Sequence, residues 1–191
     1  GSRGSYSIGT TKQGIGPAYR DKTGRTGVRI GDLKHIDYLK RRLELQLQQV
    51  NQVLSNFGEP LVEIDSLLEQ CVDWSAKLSD RIAEPLPLIK DAVESNQRIL
   101  LEGQLGSMKD LDWGTYPYVT SSNPTAAFAS VGSGVPYQHI NDVVGVTKAY
   151  QTSVGEGPFP GELLDQIGDK LRDIGKEYGV TTGRPRRTGW Y

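Results

Sequence analysis

The residues with most capacity for chemistry fall in glycine-rich stretches near the two ends of the chain. The first is Gly9-Thr10-Thr11-Lys12-Gln13-Gly14-Ile15-Gly16-Pro17-Ala18-Tyr19, followed by Lys22 and Arg25. Paired threonine hydroxyls and backbone N–H groups beside flexible glycines can converge on one anion, and Lys22 and Arg25 add positive charge. The stretch is not a Walker A loop, because no Gly-Lys-Thr/Ser follows a four-residue spacer, and it is not G-x-G-x-x-G either. Composition alone leaves both an ordinary glycine-rich turn and an anion site open. The second stretch is Val180-Thr181-Thr182-Gly183-Arg184-Pro185-Arg186-Arg187. Guanidinium groups at Arg184 and Arg186 are planar, bidentate donors suited to carboxylates, Thr181 and Thr182 offer hydroxyls, and Gly183 permits close backbone approach. From these residues alone, a solvated basic turn and a nucleic-acid patch with Trp190 nearby also stand open. Asp110 and Asp112 invite a paired-carboxylate reading, as acid and base or as magnesium ligands.

The elements that must position these residues show in the spacing of glycine. Between Leu33 and Leu100 only Gly58 occurs, whereas both flanks are dense in Gly, Ser, Thr and Pro. From Ile36 the apolar positions run Leu39, Leu43, Leu47, Val50, Leu54, Phe57, which predicts a helix ended by Gly58 and Pro60. A second stripe, Ile64, Leu67, Leu68, Cys71, Val72, Leu78, Ile82, predicts a helix antiparallel to the first across a short polar turn and stopped before Pro85 and Pro87. The pair is expected to pack together and onto a sheet, with the Cys71 thiol buried. Two β-like runs follow, 98–101 and 143–150, each entering a loop-rich stretch. A third helix is expected after Pro160, with Leu163, Leu164, Ile167, Leu171 and Ile174 on one face and Gly179 closing it. This is α/β grammar: a central, mostly parallel sheet with a helical hairpin excursion and long Gly-rich substrate loops, the chemistry lying where strands empty into loops.

At 191 residues, the chain suits about one domain with its own core. Lys+Arg 22 against Asp+Glu 23 gives a formal charge of −1, so no global field would hold nucleic acid or an anionic membrane. Glycine and proline together make about 17% of the chain, against about 12% in average usage, so loops carry much of it. One cysteine and two histidines, His35 and His139, do not suggest a zinc site and fit a reducing, cytoplasmic setting. Both histidines lie outside every motif and are expected at the surface. No run of 18 apolar residues occurs, so no bilayer-spanning helix is expected.

The string Gly14-Ile15-Gly16-Pro17-Ala18-Tyr19-Arg20-Asp21-Lys22-Thr23-Gly24-Arg25 resembles the signature of the adenylosuccinate synthetase family. Further matches follow in the family's order: Leu101-Glu102-Gly103, the run from Asp112-Trp113-Gly114-Thr115 to Thr120-Ser121-Ser122-Asn123, Lys148-Ala149-Tyr150, Val154-Gly155-Glu156-Gly157-Pro158-Phe159-Pro160, and Thr181-Thr182-Gly183-Arg184 to Trp190. The resemblance implies a ligase of purine nucleotide biosynthesis in which GTP, with Mg2+, drives the joining of IMP and L-aspartate into adenylosuccinate. It implies IMP binding by Thr11, Thr120 and Val154, and a reach of Arg25 to the IMP phosphate of a neighbouring subunit, hence a cytoplasmic homodimer. Lys22 is the signature lysine, with an implied role near the nucleotide. Val180, Thr181, Thr182, Gly183, Arg184 and Arg186 correspond to the aspartate-binding loop, with Arg184 also against the ribose and Arg186 on the GTP side. Asp110 and Asp112 fall at a motif whose implied role is structural and substrate-shaping, so turn capping is expected of one or both, and the nucleic-acid reading recedes.

On this resemblance the chain divides into an IMP-binding loop region at 1–33, a helical subdomain at 34–97, and a strand-loop core with the aspartate loop at 98–191. Family members open with a glycine-rich nucleotide loop bearing a catalytic aspartate, and a histidine follows; neither is here, nor is the guanine-recognition part. The segment alone is therefore expected to be inactive, with no metal ligands of its own. Gln104 and Leu105 occupy the IMP-contacting stretch in which members read E-G-A-Q-G, so Leu105 stands in the glutamine's place, and Ser153 stands where an arginine is usual. These departures keep two alternatives: a ligase for another purine nucleotide such as deoxyguanylate, and a non-catalytic nucleotide-binding module.

Overall fold

A computed structural model describes residue 9, residues 12–180 and residues 183–191. The chain forms two compact units, Gly16–Glu94, and Gly1–Ile15 together with Ser95–Tyr191. In the helical unit, α1 (Ile15–Gly24) carries a polar sequence and buries none of its residues. A 3-10 turn at Ile30–Lys34 leads into α2 (Ile36–Asn56), then α3 (Ile64–Leu78), extended by a 3-10 turn at Ser79–Arg81. Both long helices lie where the apolar stripes predict them. Gly58 follows α2 at φ 67, a left-handed conformation that glycine adopts without a Cβ clash and that turns the chain out of the helix.

The two helices run antiparallel. At one end Ser75 Oγ donates to the Leu33 carbonyl at 2.6 Å and Lys34 Nζ to the Ile82 carbonyl at 2.6 Å. At the other, the Asn51 amide exchanges two hydrogen bonds with the Val62 backbone, at 3.0 and 2.9 Å. The seam is closed by Leu33, Leu39, Leu43 and Cys71, with Ile36, Ile64, Leu67, Leu68, Leu78 and Ile82 packed around them. Full burial of a leucine such as Leu39 contributes about 1.5–3 kcal/mol. The seam is tight only over the first half of α2, since Val50 and Phe57 are exposed. No sheet lies in this unit among the described residues, so the expected helix-on-sheet layer is replaced by helix on helix. A further helix, α4 (Pro85–Glu94), arises where Pro85 and Pro87 suggested a stop. Both prolines sit in its first turn, where a backbone N–H would have no intrahelical acceptor, so neither removes a hydrogen bond.

The loop-rich unit contains a short α5 (Ala129–Ser133), the strand β1 (Gln151–Ser153), α6 (Gln166–Ile174) and the strand β2 (Arg187–Gly189). The strands are antiparallel, with Thr152 opposite Thr188. The fold is thus mixed helix and strand, but its sheet has two strands among the described residues, and a central parallel sheet is not shown. The runs 98–101 and 143–148 are irregular rather than strands. Val143, Val144 and Val146 are exposed, and β-branched composition makes a strand only where a neighbouring ladder takes its N–H and C=O groups. The third helix starts later than expected because the Asp165 side chain caps it, accepting from the N–H groups of Ile167 (3.0 Å) and Gly168 (3.1 Å). Leu163 instead donates its N–H to the Thr188 carbonyl, and Thr188, fully buried, donates its hydroxyl to Gly168 at 2.7 Å. These bonds tie α6 to β2.

Candidate functional site

The stretch 177–186 is a hairpin immediately preceding β2. Arg186 N–H donates to the Glu177 carbonyl at 2.9 Å, Gly179 N–H to the Arg184 carbonyl at 2.9 Å, and Tyr178 and Pro185 face each other in an antiparallel bridge. Its tip carries Val180 and Gly183, both exposed, with Gly183 at φ 62. Thr181 and Thr182, expected in the aspartate-binding loop, lie outside the described residues, as does Thr11. The hairpin is held from below by Arg172, whose Nε donates to the Arg186 carbonyl at 2.9 Å.

Three arginines leave this hairpin, and each meets its own glutamate. Arg187 is the most fully used: it forms a two-point ion pair with Glu162, and its Nη1 donates to the carbonyls of Gly157 (2.8 Å) and Gly155 (3.4 Å). Its guanidinium also lies 5.5 Å from the Phe159 ring centroid. Arg187 therefore clasps the loop 154–159. Arg186 places Nη1 2.9 Å from Glu177 Oε2, while its Nε is buried with no hydrogen-bond partner. An unsatisfied buried donor costs about 1–3 kcal/mol. Arg184, half exposed, pairs across 3.1 Å with the exposed Glu156, and such a pair is worth little in water. Carboxylates thus pair each arginine of the row, while Arg184, Pro185 and the tip remain exposed.

Electrostatics grade the same way. The bidentate bonds from Arg187 hold the Glu162 carboxyl below the usual carboxylate range and push Arg187 up in turn. Burial alone would raise Glu177, but hydrogen bonds from Lys148 Nζ (2.8 Å), Tyr150 OH (2.7 Å) and Arg186 outweigh it and keep this nearly inaccessible carboxyl low. The Tyr150 phenol is pushed up by donating to Glu177.

A second hub organises the loop that bears Thr120. Asp110, fully buried, accepts at Oδ1 from the N–H groups of Asp112 (3.0 Å) and Trp113 (3.2 Å) and from the Asn123 amide (3.1 Å), and at Oδ2 from the Thr125 hydroxyl (3.4 Å). Burial opposes ionisation here too, yet those donors hold Asp110 below its ordinary value. The expected capping role is met. Thr120 N–H donates to the Lys109 carbonyl at 2.9 Å, and Lys109 Nζ to the Tyr118 carbonyl at 3.1 Å. Beside the hub, Asp112, Trp113, Asn123, Thr125, Ala127 and Phe128 line a shallow pocket of about 250 Å3.

These loops abut. At Gly157, φ 106, a Cβ would come within 2.5 Å of the Tyr118 ring, so the clasped loop and the Thr120 loop meet at a contact only glycine permits. A Cβ on Gly9 would lie 3.1 Å from Gly155 Cα and 3.5 Å from Arg184 Nη1, which places Gly9 against the arginine hairpin. Gly103 approaches the Pro124 carbonyl in the same way. Gln104 and Leu105 follow it, both exposed, and Leu105 holds a left-handed φ of 77, an uncommon conformation for a residue with a Cβ. Val154, half exposed, lies on the clasped loop. Lys22 and Arg25 belong to the helical unit, at the end of α1. Both are exposed, Lys22 stands 5.8 Å from the Tyr19 ring centroid, and Arg25 has φ 60. His35 and His139 are exposed, and Cys71 is buried, which pushes its thiol up.

The positioning carboxylates Glu162 and Glu177, with Lys148 and Tyr150, carried no individual signal in the sequence. Lys148 and Tyr150 stood in a motif without a role, and Glu177 is nine positions from the arginine it holds. No group of three or more His, Cys, Asp or Glu side chains among the described residues could hold a metal ion. Asp110, the most enclosed carboxylate, has its lone pairs taken by four donors, so Mg2+ does not fit it.

Arginine hairpin, clasped glycine loop and capped threonine loop are carried together on a mixed helix-strand scaffold. The family model described as adenylosuccinate synthetase matches residues 1–191. Adenylosuccinate synthetase 1 of Methanosarcina acetivorans is 51% identical over 191 residues, covering 98% of this chain and 45% of that protein. The Listeria welshimeri adenylosuccinate synthetase is 48% identical over 190 residues, covering 99% and 44%. A solved structure of the fully ligated enzyme from Plasmodium falciparum superposes with a TM-score of 0.87 at 40% identity, covering 96% of this chain and 42% of that one. The chain belongs to the adenylosuccinate synthetase family, and it spans less than half the length of these relatives. Their shared name does not favour the deoxyguanylate and non-catalytic alternatives.

Proposed function

We propose that this chain carries the aspartate- and IMP-binding loops of a carbon-nitrogen ligase of purine nucleotide biosynthesis. In that reaction GTP phosphorylates the 6-oxygen of IMP, the amine of L-aspartate attacks C6, and phosphate leaves to give adenylosuccinate, GDP and inorganic phosphate. The observation that carries the reading is the hairpin that presents Arg184 beside Gly9 and the 154–157 loop and carries Arg186 two residues on. A dicarboxylic amino acid needs charge-assisted donors at both ends, and two guanidinium groups on a narrow hairpin supply them.

In this reading Arg184, Arg186, Val180, Thr181, Thr182 and Gly183 bind aspartate. Arg184 also meets the nucleotide ribose, and Arg186 the GTP side. Thr11, Thr120, Val154, Gln104 and Leu105 border IMP, with Thr120 held in place by the Asp110 hub. Lys22 acts near the nucleotide, and Arg25 reaches the IMP phosphate of a second subunit in a homodimer; exposure of both side chains supports this. In this reading Mg2+ is held outside this segment, so no step is assigned to a metal on this chain. A mostly parallel central sheet, completed by strands that pair with the exposed 143–148 run, belongs to the same reading. No helix among the described residues is long and apolar enough to cross a membrane, and the lone free Cys71 accords with the cytoplasm.

The test is an assay of the folded enzyme bearing this sequence with IMP, GTP and L-aspartate. Adenylosuccinate formation dependent on all three is expected, and its absence would overturn the reading.

A further inference from the structure

We infer that Glu177 is the positioning residue of the site: it fixes the guanidinium of Arg186 in the orientation that receives a substrate carboxylate. The inference rests on the ligase reading, in which Arg186 binds aspartate. Glu177 is 4% exposed, and it grips Arg186 at two points, through the backbone N–H at 2.9 Å and through Nη1 at 2.9 Å. The Arg186 carbonyl is held in addition by Arg172 at 2.9 Å. Main chain and one guanidinium nitrogen are thus fixed, while Nε, buried, has no partner. A guanidinium anchored through Nη1 turns a defined edge to its ligand instead of sampling rotamers, which lowers the ordering cost of binding.

Neighbouring pairs show that this arrangement is particular to Arg186. Arg187 has its donors committed to Glu162 and two loop carbonyls. Arg184 is paired through an exposed glutamate on the 154–157 loop, a contact in water that a ligand carboxylate can replace. Arg186 alone combines a buried counter-ion with an unspent donor. The Glu177 carboxylate is itself fixed by groups on another segment, Lys148 Nζ at 2.8 Å and Tyr150 OH at 2.7 Å, both on Oε1, which leaves Oε2 to Arg186. Glu177 thus couples the Lys148-Ala149-Tyr150 motif to the aspartate hairpin, which gives that motif a function.

Steady-state kinetics on the enzyme bearing this chain separate positioning from mere structure. Glu177→Gln keeps the shape but turns an amide toward the guanidinium, and is expected to raise the aspartate KM about tenfold or more while the IMP KM stays within about twofold, since small misplacements of a binding group are costly. Lys148→Met removes a support from Glu177 but leaves its charge on Arg186, and is expected to lower thermal stability while shifting the aspartate KM less than Glu177→Gln does. An unchanged aspartate KM in folded Glu177→Gln overturns the inference, as does an equal rise in both substrates' KM. Should Glu177→Gln not fold, Glu177→Asp, which retains the charge but withdraws it from Nη1, carries the same test: a selective rise in aspartate KM is expected, and none overturns the inference. Wild-type enzyme assayed alongside isolates the underlying reading, because a folded wild type that makes no adenylosuccinate contradicts the ligase assignment itself.

Discussion

The two units are stabilised by different means. Gly16–Glu94 is built around two long helices closed on an apolar seam, to which polar side chains such as Arg42 tie the flanking segments. The unit of Ser95–Tyr191 with Gly1–Ile15 has little apolar core: Val135 is its one well-buried aliphatic side chain among the described residues, while Asp110, Glu177 and Thr188 are buried and polar. Its loops are ordered by carboxylates that gather donors. A seam of leucines holds elements together without fixing any one side chain to a fraction of an ångström. Hydrogen-bonded hubs do fix them, which is what a site for small anions requires.

If that contrast holds, the most disruptive change lies in the seam. Leu39→Ala, at a fully buried position, is expected to cost about 2–5 kcal/mol, read as a fall in helical circular dichroism stability under denaturant. The hydrogen-bonded loops should be affected only as far as the helical unit unfolds. Next in size, Arg187→Leu leaves Glu162 unpaired and two loop carbonyls unsatisfied. Because the pair is partly solvated, about 1–3 kcal/mol is expected, with limited proteolysis opening the 154–159 loop while α2 and α3 stay protected. Equal protection of that loop in wild type and variant would remove the clasp from the account.

Acid probes the contrast by a smaller, graded effect. Glu162 and Glu177 have folded values held below those of an unfolded carboxylate, so the stability they contribute is present above the unfolded value of about 4.3 and is lost as pH falls through the lowered folded values. Hydrogen exchange across that window should show the hairpin 177–186 losing protection before the seam of α2 and α3. Simultaneous loss would mean that the two units do not differ as described.

The same contrast explains what was legible in the sequence. Period-3.6 stripes need only residue type and spacing, so α2 and α3 could be read directly, and Cys71 with them. The exceptions were local. Pro85 and Pro87 begin α4 instead of preventing it, because first-turn prolines forfeit no hydrogen bond, and Asp165 delays α6 by capping it. Strands at 98–101 and 143–150 were misread because a β-run records preference for a ladder, not the presence of a partner. In the candidate site, Arg184 and Arg186 were singled out by the family resemblance, with side-chain chemistry in support, and Asp110 as a cap. Glu162 and Glu177 were not, since a lone glutamate 9 or 25 residues from its arginine has no pattern of its own until the hairpin folds.

The account stands most directly on the aspartate KM of Arg184→Leu and Arg186→Leu in the enzyme bearing this chain. Leucine cannot make the charge-assisted hydrogen bonds of a guanidinium, each worth about 1.5–3 kcal/mol, so each variant is expected to raise that constant by roughly tenfold to a hundredfold. An aspartate KM unchanged in both variants, with the fold intact, would place the carboxylate site elsewhere and contradict the account.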